Sequence, residues 1–196
     1  TGGNIQNNKA ASDRSAFGGA VAILGTYKNT VDLTNEFIMT GGTISGNTAG
    51  YGGAISAYAA DSYWNGNASV KISGNAEITQ NTGRNGGGAI ALLTSKADDY
   101  TSTVEMSGGT ISKNKTLSKD SKGGGVFLYG KGDSFYMTDG KISDNEAKQG
   151  GGISISDTDA AAYLLGGTIQ DNKATEGYPH YDDASERSYY GNAVFH

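Results

Sequence analysis

The chain has 196 residues, a formal net charge of −5, 32 glycines, one proline, 12 tyrosines and no cysteine. This excludes disulfides, thiolate metal sites and a cysteine nucleophile, and argues against nucleic acid, whose phosphates call for clustered Lys and Arg where only Arg14, Arg84 and Arg187 stand. Hydrophobic residues make up 36% of the chain, which suits a thin core along an elongated body, and no stretch reaches the roughly 20 apolar residues of a membrane helix.

The chain opens on Thr1, as a processed or excised piece does, and enters at once on "TGGNIQNN". There Ile5 is followed three residues later by Asn8. The pair returns as Ile44 and Asn47, Ile78 and Asn81, Ile111 and Asn114, Ile142 and Asn145, and Ile169 and Asn172. Successive isoleucines lie 39, 34, 33, 31 and 27 residues apart, so the unit is strict while its connections vary. Each unit runs on to a glycine-led strand: "FGGAVAIL", "YGGAISAY", "GGGAIALL", "GGGVFLYG", "GGGISIS" and "GNAVF". From the second copy on, a short apolar run precedes the isoleucine, as in Phe37-Ile-Met39 and Val104-Glu-Met106.

No segment holds a 3.6-residue period, and the apolar runs are strand-length and bounded by Gly, Asn, Asp and Ser. Three short strands per unit, stacked in register, predict an all-β, single-stranded, right-handed parallel β-helix. Residues 1–196 form one domain of about six coils, each pairing only with its neighbours at about 4.8 Å. The isoleucine is expected to point into the core. The asparagine is expected to turn the corner, since Asn tolerates left-handed backbone, and to bond to its equivalents above and below. The glycines serve tight bends and close backbone approach.

Gly-Gly-Ala-(Ile/Val) alternating with Ile-x-x-Asn resembles the paired GGA(I/L/V) and FxxN repeats of polymorphic outer-membrane protein passenger domains, with Ile where that family usually has Phe. The "GGTIS" units are also similar to those of adhesin-type surface β-helices of gut bacteria. The resemblance covers nearly the whole chain and is specific for the fold. It implies an extracellular or cell-surface location and, more weakly, an adhesin-type role, because the scaffold carries both adhesins and polysaccharide-active enzymes.

Stacking predicts charge columns beside the asparagines, with Lys113 next to Asp144, and Lys115, Glu146 and Lys173 in a row. Asp144 above Asp171 could hold a cation or share a proton, or simply be neutralised by the neighbouring lysines. Insertions after the glycine-led strands should crowd along one edge. Segment 25–35 brings Tyr27 and Asp32, and 59–67 brings Asp61, Tyr63 and Trp64. Segment 94–102 brings Asp98, Asp99 and Tyr100, while 130–134 and 157–161 add Asp133, Asp157 and Asp159. Aromatic faces beside carboxylates are what sugars require, namely an apolar plane to stack on and acceptors for hydroxyls. The same aromatics could instead shield the coil edge.

A second cluster, "EGYPHYDDASERSYYGN" at 176–192, carries Tyr181 and Asp182 beside His180, and reads as a cap or a ligand-contacting loop. No GxSxG, phosphate-cradling loop or zinc motif is present. The leading expectation is a glycan-binding or structural surface module that needs no catalytic residue, metal or cofactor. Its partner would be a glycan or other cell-surface ligand, contacted through Tyr27, Asp61, Tyr63, Trp64, Asp98, Asp99, Tyr100, Tyr181 and Asp182. A polysaccharide hydrolase or lyase is the alternative, with Asp98 and Asp99, or Asp144 and Asp171, as acid and base or calcium ligands. A third reading is a subunit that self-associates end to end near Ile5 and Val194, unless 9–17 or 176–190 folds over an end.

Overall fold

Each Ile-x-x-Asn unit pairs in parallel with the next, in one unbroken register. Ile5 lies beside Ile44, then Ile78, Ile111, Ile142 and Ile169. The computed structural model describes residues 2–10, 16–27, 33–59, 64–94, 100–157, 159–175 and 194–195, with backbone alone at 26–27, 64–65 and 194–195. It is the all-β parallel solenoid that the repeat predicts, with no helix among the described residues.

Three parallel sheets form the sides. The apolar run and the isoleucine segment share one sheet, and in two coils they fuse into single long strands, Ser102–Ser112 and Ser134–Ser143. The second sheet is built from short strands just after the asparagine, such as Thr48–Tyr51, Thr82–Gly86 and Lys115–Thr116. These polar residues do not announce a strand in sequence, because neighbour-to-neighbour pairing makes them one. The third sheet is the glycine-led one, with Ile55–Tyr58, Ile90–Leu92, Val126–Leu128 and Ile153–Ile155 stacked in order.

Inside run columns of aliphatics. Ile44, Ile78, Ile111 and Ile142 are at most 1% exposed, as are Ile55, Ile90, Val126 and Ile153 on the facing sheet. Each such side chain contributes about 1.5–3 kcal/mol of burial, so a narrow bore still builds a core when the column is long. Ile5 and Ile169, with a neighbouring coil on one side only, are half-buried.

The ladder of asparagines is complete. Asn8 Nδ2 donates to Asn47 Oδ1, and the relay continues through Asn81, Asn114 and Asn145 to Asn172 at 2.9–3.0 Å. Each Oδ1 also accepts the backbone N–H of the asparagine before it, and each Nδ2 bonds the carbonyl of an isoleucine one coil back, as Asn114 does to Ile78. The corner differs from expectation in one respect. The left-handed residue is the one preceding the asparagine: Asn7, Gly46, Gln80, Lys113, Asp144 and Asp171, all with φ between 54° and 66°. Releasing the asparagine from that strain leaves its amide free to aim straight along the stack.

The glycine pairs divide two tasks. In the third coil Gly87 has φ +61°, and a Cβ there would strike Ile90 O at 2.3 Å. Gly88 is tight for another reason: its Cβ would lie 2.1 Å from Gly124 O in the next coil. The first glycine turns the chain and the second lets two coils touch.

Candidate functional site

The coil from Ile111 to Tyr129 is unlike its neighbours between asparagine and glycine pair. Asn114 precedes Gly123 by nine positions, whereas in the adjoining coils Asn81 precedes Gly87 by six and Asn145 precedes Gly150 by five. The extra residues form a short tight turn folded back onto the preceding coil. Leu117 N and Ser118 N both donate to Arg84 O, at 3.2 and 2.8 Å, and Ser118 Oγ donates to Asn85 Oδ1 at 2.8 Å. Lys122 N closes the turn on Asn85 O at 3.2 Å.

Beside this turn, on the outer face of the glycine-led sheet, lies a satellite apolar cluster. Ala91, Leu93 and Phe127 are buried there, flanked by half-buried Phe17, Tyr51 and Tyr58. The arrangement hinges on Gly86, which stands in the column holding Phe17 and Tyr51 in earlier coils. A Cβ on Gly86 would meet Phe127 Cδ1 at 2.4 Å, so the missing side chain is the slot that the Phe127 ring fills. Phe127 lies nearly parallel to Tyr51, with centroids 6.4 Å apart, and Tyr129 leans on it at 5.9 Å.

Cluster and turn enclose a groove of about 730 Å³, within the size range of ligand sites. Tyr51, Phe127 and Tyr129 make its aromatic wall, and Asn85, Ser118, Lys119, Asp120 and Lys122 its polar wall, with Ser156 at one end. Tyr129 is 52% exposed, so its ring is open to a ligand, whereas Phe127 is a buried support. Burial raises the pKa of the Tyr51 phenol and the nearby Tyr129 adds to the shift, which keeps the hydroxyl protonated as both donor and acceptor. Lys119 pairs with Asp120 at 3.8 Å, while Lys122 Nζ donates to Ser156 Oγ at 3.2 Å.

Of the sequence-expected site residues, Tyr100 has a described side chain, and Tyr27 and Trp64 a described backbone. The segments Thr26–Tyr27 and Trp64–Asn65 form an antiparallel pair in which Tyr27 and Trp64 are direct partners, so two loops of adjacent coils do meet at one edge. Asp61, Tyr63, Asp98, Asp99, Tyr181 and Asp182 lie outside the described residues, as do Asp32 and His180. Tyr100 is half-buried and packs against the main core. Asp159 pairs with Lys131 at 3.9 Å, and Asp157 Oδ1 accepts the Asp159 N–H at 3.0 Å. Lys173 approaches Glu146 at 4.0 Å with both side chains exposed, which contributes little to stability. Among the described residues no three of His, Cys, Asp or Glu gather as a metal cluster, and no helix is long and apolar enough to cross a membrane.

Among the described loop carboxylates, Asp133 is the one whose place differs sharply from an exposed rim position. It is fully buried, accepting from Thr94 Oγ1 at 2.5 Å and Gly130 N at 2.8 Å, while Thr94 Oγ1 also meets Ser102 Oγ at 2.9 Å. Burial pushes its pKa up from 3.8 to about 6, against the lowering effect of these hydrogen bonds. A raised folded-state pKa gives stability that is fully present below about pH 4 and is lost as pH rises through about 6. The full change is about 3 kcal/mol. Asp133→Asn reproduces the protonated pattern, one donor toward Thr94 and one acceptor for Gly130. Urea unfolding should show the variant gaining stability over the wild type steadily from pH 4 to 7. A difference that stays flat across that range would refute this account.

Searches of protein families, curated proteins and solved structures return no match to this chain. What fold and site define together is a class: a parallel β-solenoid with a lateral aromatic groove.

Proposed function

We propose that this solenoid is an extracellular, adhesin-type surface module that binds glycans without transforming them, through the groove between Tyr129 and the Ser118–Lys122 turn. The observation that carries this reading is the groove's composition, an accessible aromatic ring facing amide, hydroxyl, ammonium and carboxylate groups. Sugars offer an apolar ring face and a fringe of hydroxyls, and that pairing meets both. The resemblance of the repeats to those of polymorphic outer-membrane-type passenger domains supports the surface location and belongs to the same proposal.

Glycan-array binding of the purified chain, compared with Tyr129→Ala, tests the reading. The substitution removes an exposed ring and leaves the Tyr129 N–H on Leu92 O, so far-UV circular dichroism should not change. Affinity for array hits should fall about tenfold or more, the effect of roughly 1.4 kcal/mol of lost contact. Undiminished binding by the variant would place the site elsewhere. Release of reducing ends or unsaturated products from polysaccharides would replace the binding role with catalysis.

A further inference from the structure

Two features of the groove narrow its occupant, given the glycan-binding reading on which this inference rests. The first is direction. Tyr51 belongs to the second coil, Asn85 to the third, Lys119 to Tyr129 to the fourth and Ser156 to the fifth, and these coils stack in that order. The groove therefore runs along the solenoid axis and crosses strands at about 4.8 Å per coil, which makes it roughly 15 Å long. A single sugar ring would leave most of it empty, whereas an extended chain advances coil by coil.

The second feature is charge. Among the described residues Asp120 is the groove's single carboxylate, and it lies 3.8 Å from the Lys119 ammonium. The Lys122 ammonium is anchored on a hydroxyl, Ser156 Oγ, and makes no ion pair with any described carboxylate. Two ammonium groups against one carboxylate make the described lining net positive on a chain whose net charge is −5. A neutral ligand gains nothing from that excess. A ligand carboxylate reaching Lys122 would form a charge-assisted hydrogen bond, roughly twice as strong as a neutral one.

The geometry points to a short, extended, carboxylate-bearing oligosaccharide as the ligand, lying along the axis with a sugar face on Tyr129 and an acidic group at Lys122. Lys119 and Asp120, paired and at the rim, serve hydroxyls.

Calorimetric titration of the whole chain tests this with galacturonate oligomers from monomer to hexamer, matched neutral galactose oligomers, and an oligoglutamate peptide of similar length. Affinity for the acidic sugars should climb from monomer to trimer and then level off, exceed that for neutral oligomers about tenfold or more, and weaken as salt is raised. Lys122→Gln should erase the preference for acidic over neutral sugars. Its fold is checked by circular dichroism, since the Lys122 backbone still bridges Gly86 and Gln149. Equal binding of acidic and neutral oligomers, or a preference that survives Lys122→Gln, overturns the charge assignment while glycan binding stands. A monomer as tight as the trimer overturns the extended occupant. Oligoglutamate binding as tightly as the acidic sugars overturns the sugar class, and no binding of any oligomer overturns both this inference and the reading beneath it.

Discussion

Gly88→Ala should abolish the native fold. The added methyl would sit 2.1 Å from Gly124 O and 2.7 Å from Lys115 N, both backbone atoms of the next coil. No rotamer change relieves a clash with backbone, so the two coils would have to part by more than the sheet hydrogen bonds between them allow. Those bonds include Gly88 N to Gly123 O at 2.9 Å and Ala89 N to Gly125 O at 3.1 Å. The cost should exceed about 4 kcal/mol, the range reserved for gross packing or backbone conflict. Gly3→Ala is the control, because nothing lies within 4 Å of its would-be Cβ. Urea unfolding followed by circular dichroism should find Gly3→Ala close to the wild type and Gly88→Ala without a cooperative transition. A cooperative Gly88→Ala with a near-native midpoint would show that the coils are not in the contact described.

Asn114→Ala should cost about 3–5 kcal/mol, because a single truncation takes a partner from several buried groups and leaves a cavity at the corner, and a buried group left unsatisfied costs about 1–3 kcal/mol. The Asn81 backbone N–H and the Asn81 Nδ2 both lose Asn114 Oδ1 as acceptor, and Ile78 O loses its donor. Asn81 and Asn114 are fully buried, so water cannot replace these bonds without opening the corner. Asn114→Asp should not rescue the loss. A carboxylate can accept from Asn81, yet it has no proton for Asn145 Oδ1 or Ile78 O and brings a buried charge. At the end of the column, Asn8 is exposed and Asn47 Oδ1 keeps the Asn8 N–H, so Asn8→Ala should cost only about 1 kcal/mol. Equal effects at both positions would mean that the ladder contributes one local bond per coil and no cooperative relay.

These two predictions draw on the part of the molecule that was legible in the residues. Ile and Asn recur at a constant offset because each must meet its own kind in the next coil, and a column of like side chains is written into a sequence as repetition. Stacking, core columns, the asparagine ladder and the need for paired glycines all follow from that. The corner strain falls one residue before the asparagine that the repeat singles out. The left-handed position holds Asn, Gly, Gln, Lys and then Asp twice, so it leaves no constant letter, whereas the ladder position is asparagine in every unit. The second sheet was missed on similar grounds, since its strands arise from register with neighbours and not from any apolar alternation of their own.

The groove is a different case. One signal for it does stand in the chain, the lengthened interval between Asn114 and Gly123, which marks the inserted turn. Its aromatic wall is hidden in the sequence because Tyr51, Phe127 and Tyr129 lie in or beside glycine-led strands and read there as ordinary scaffold. Asp133 shows the reverse, a loop residue that composition places at an exposed edge and that folding buries behind Thr94 and Ser102. By itself, then, the sequence determined the solenoid, since the parallel sheet pairing that holds one coil to the next joins equivalent positions of the repeat. Only the tertiary structure decided the groove, because it depends on breaks in that equivalence. A glycine replaces an aromatic at position 86, a phenylalanine from the next coil fills the space, and an inserted turn folds back across it, so residues far apart in the chain meet only once the coils have stacked.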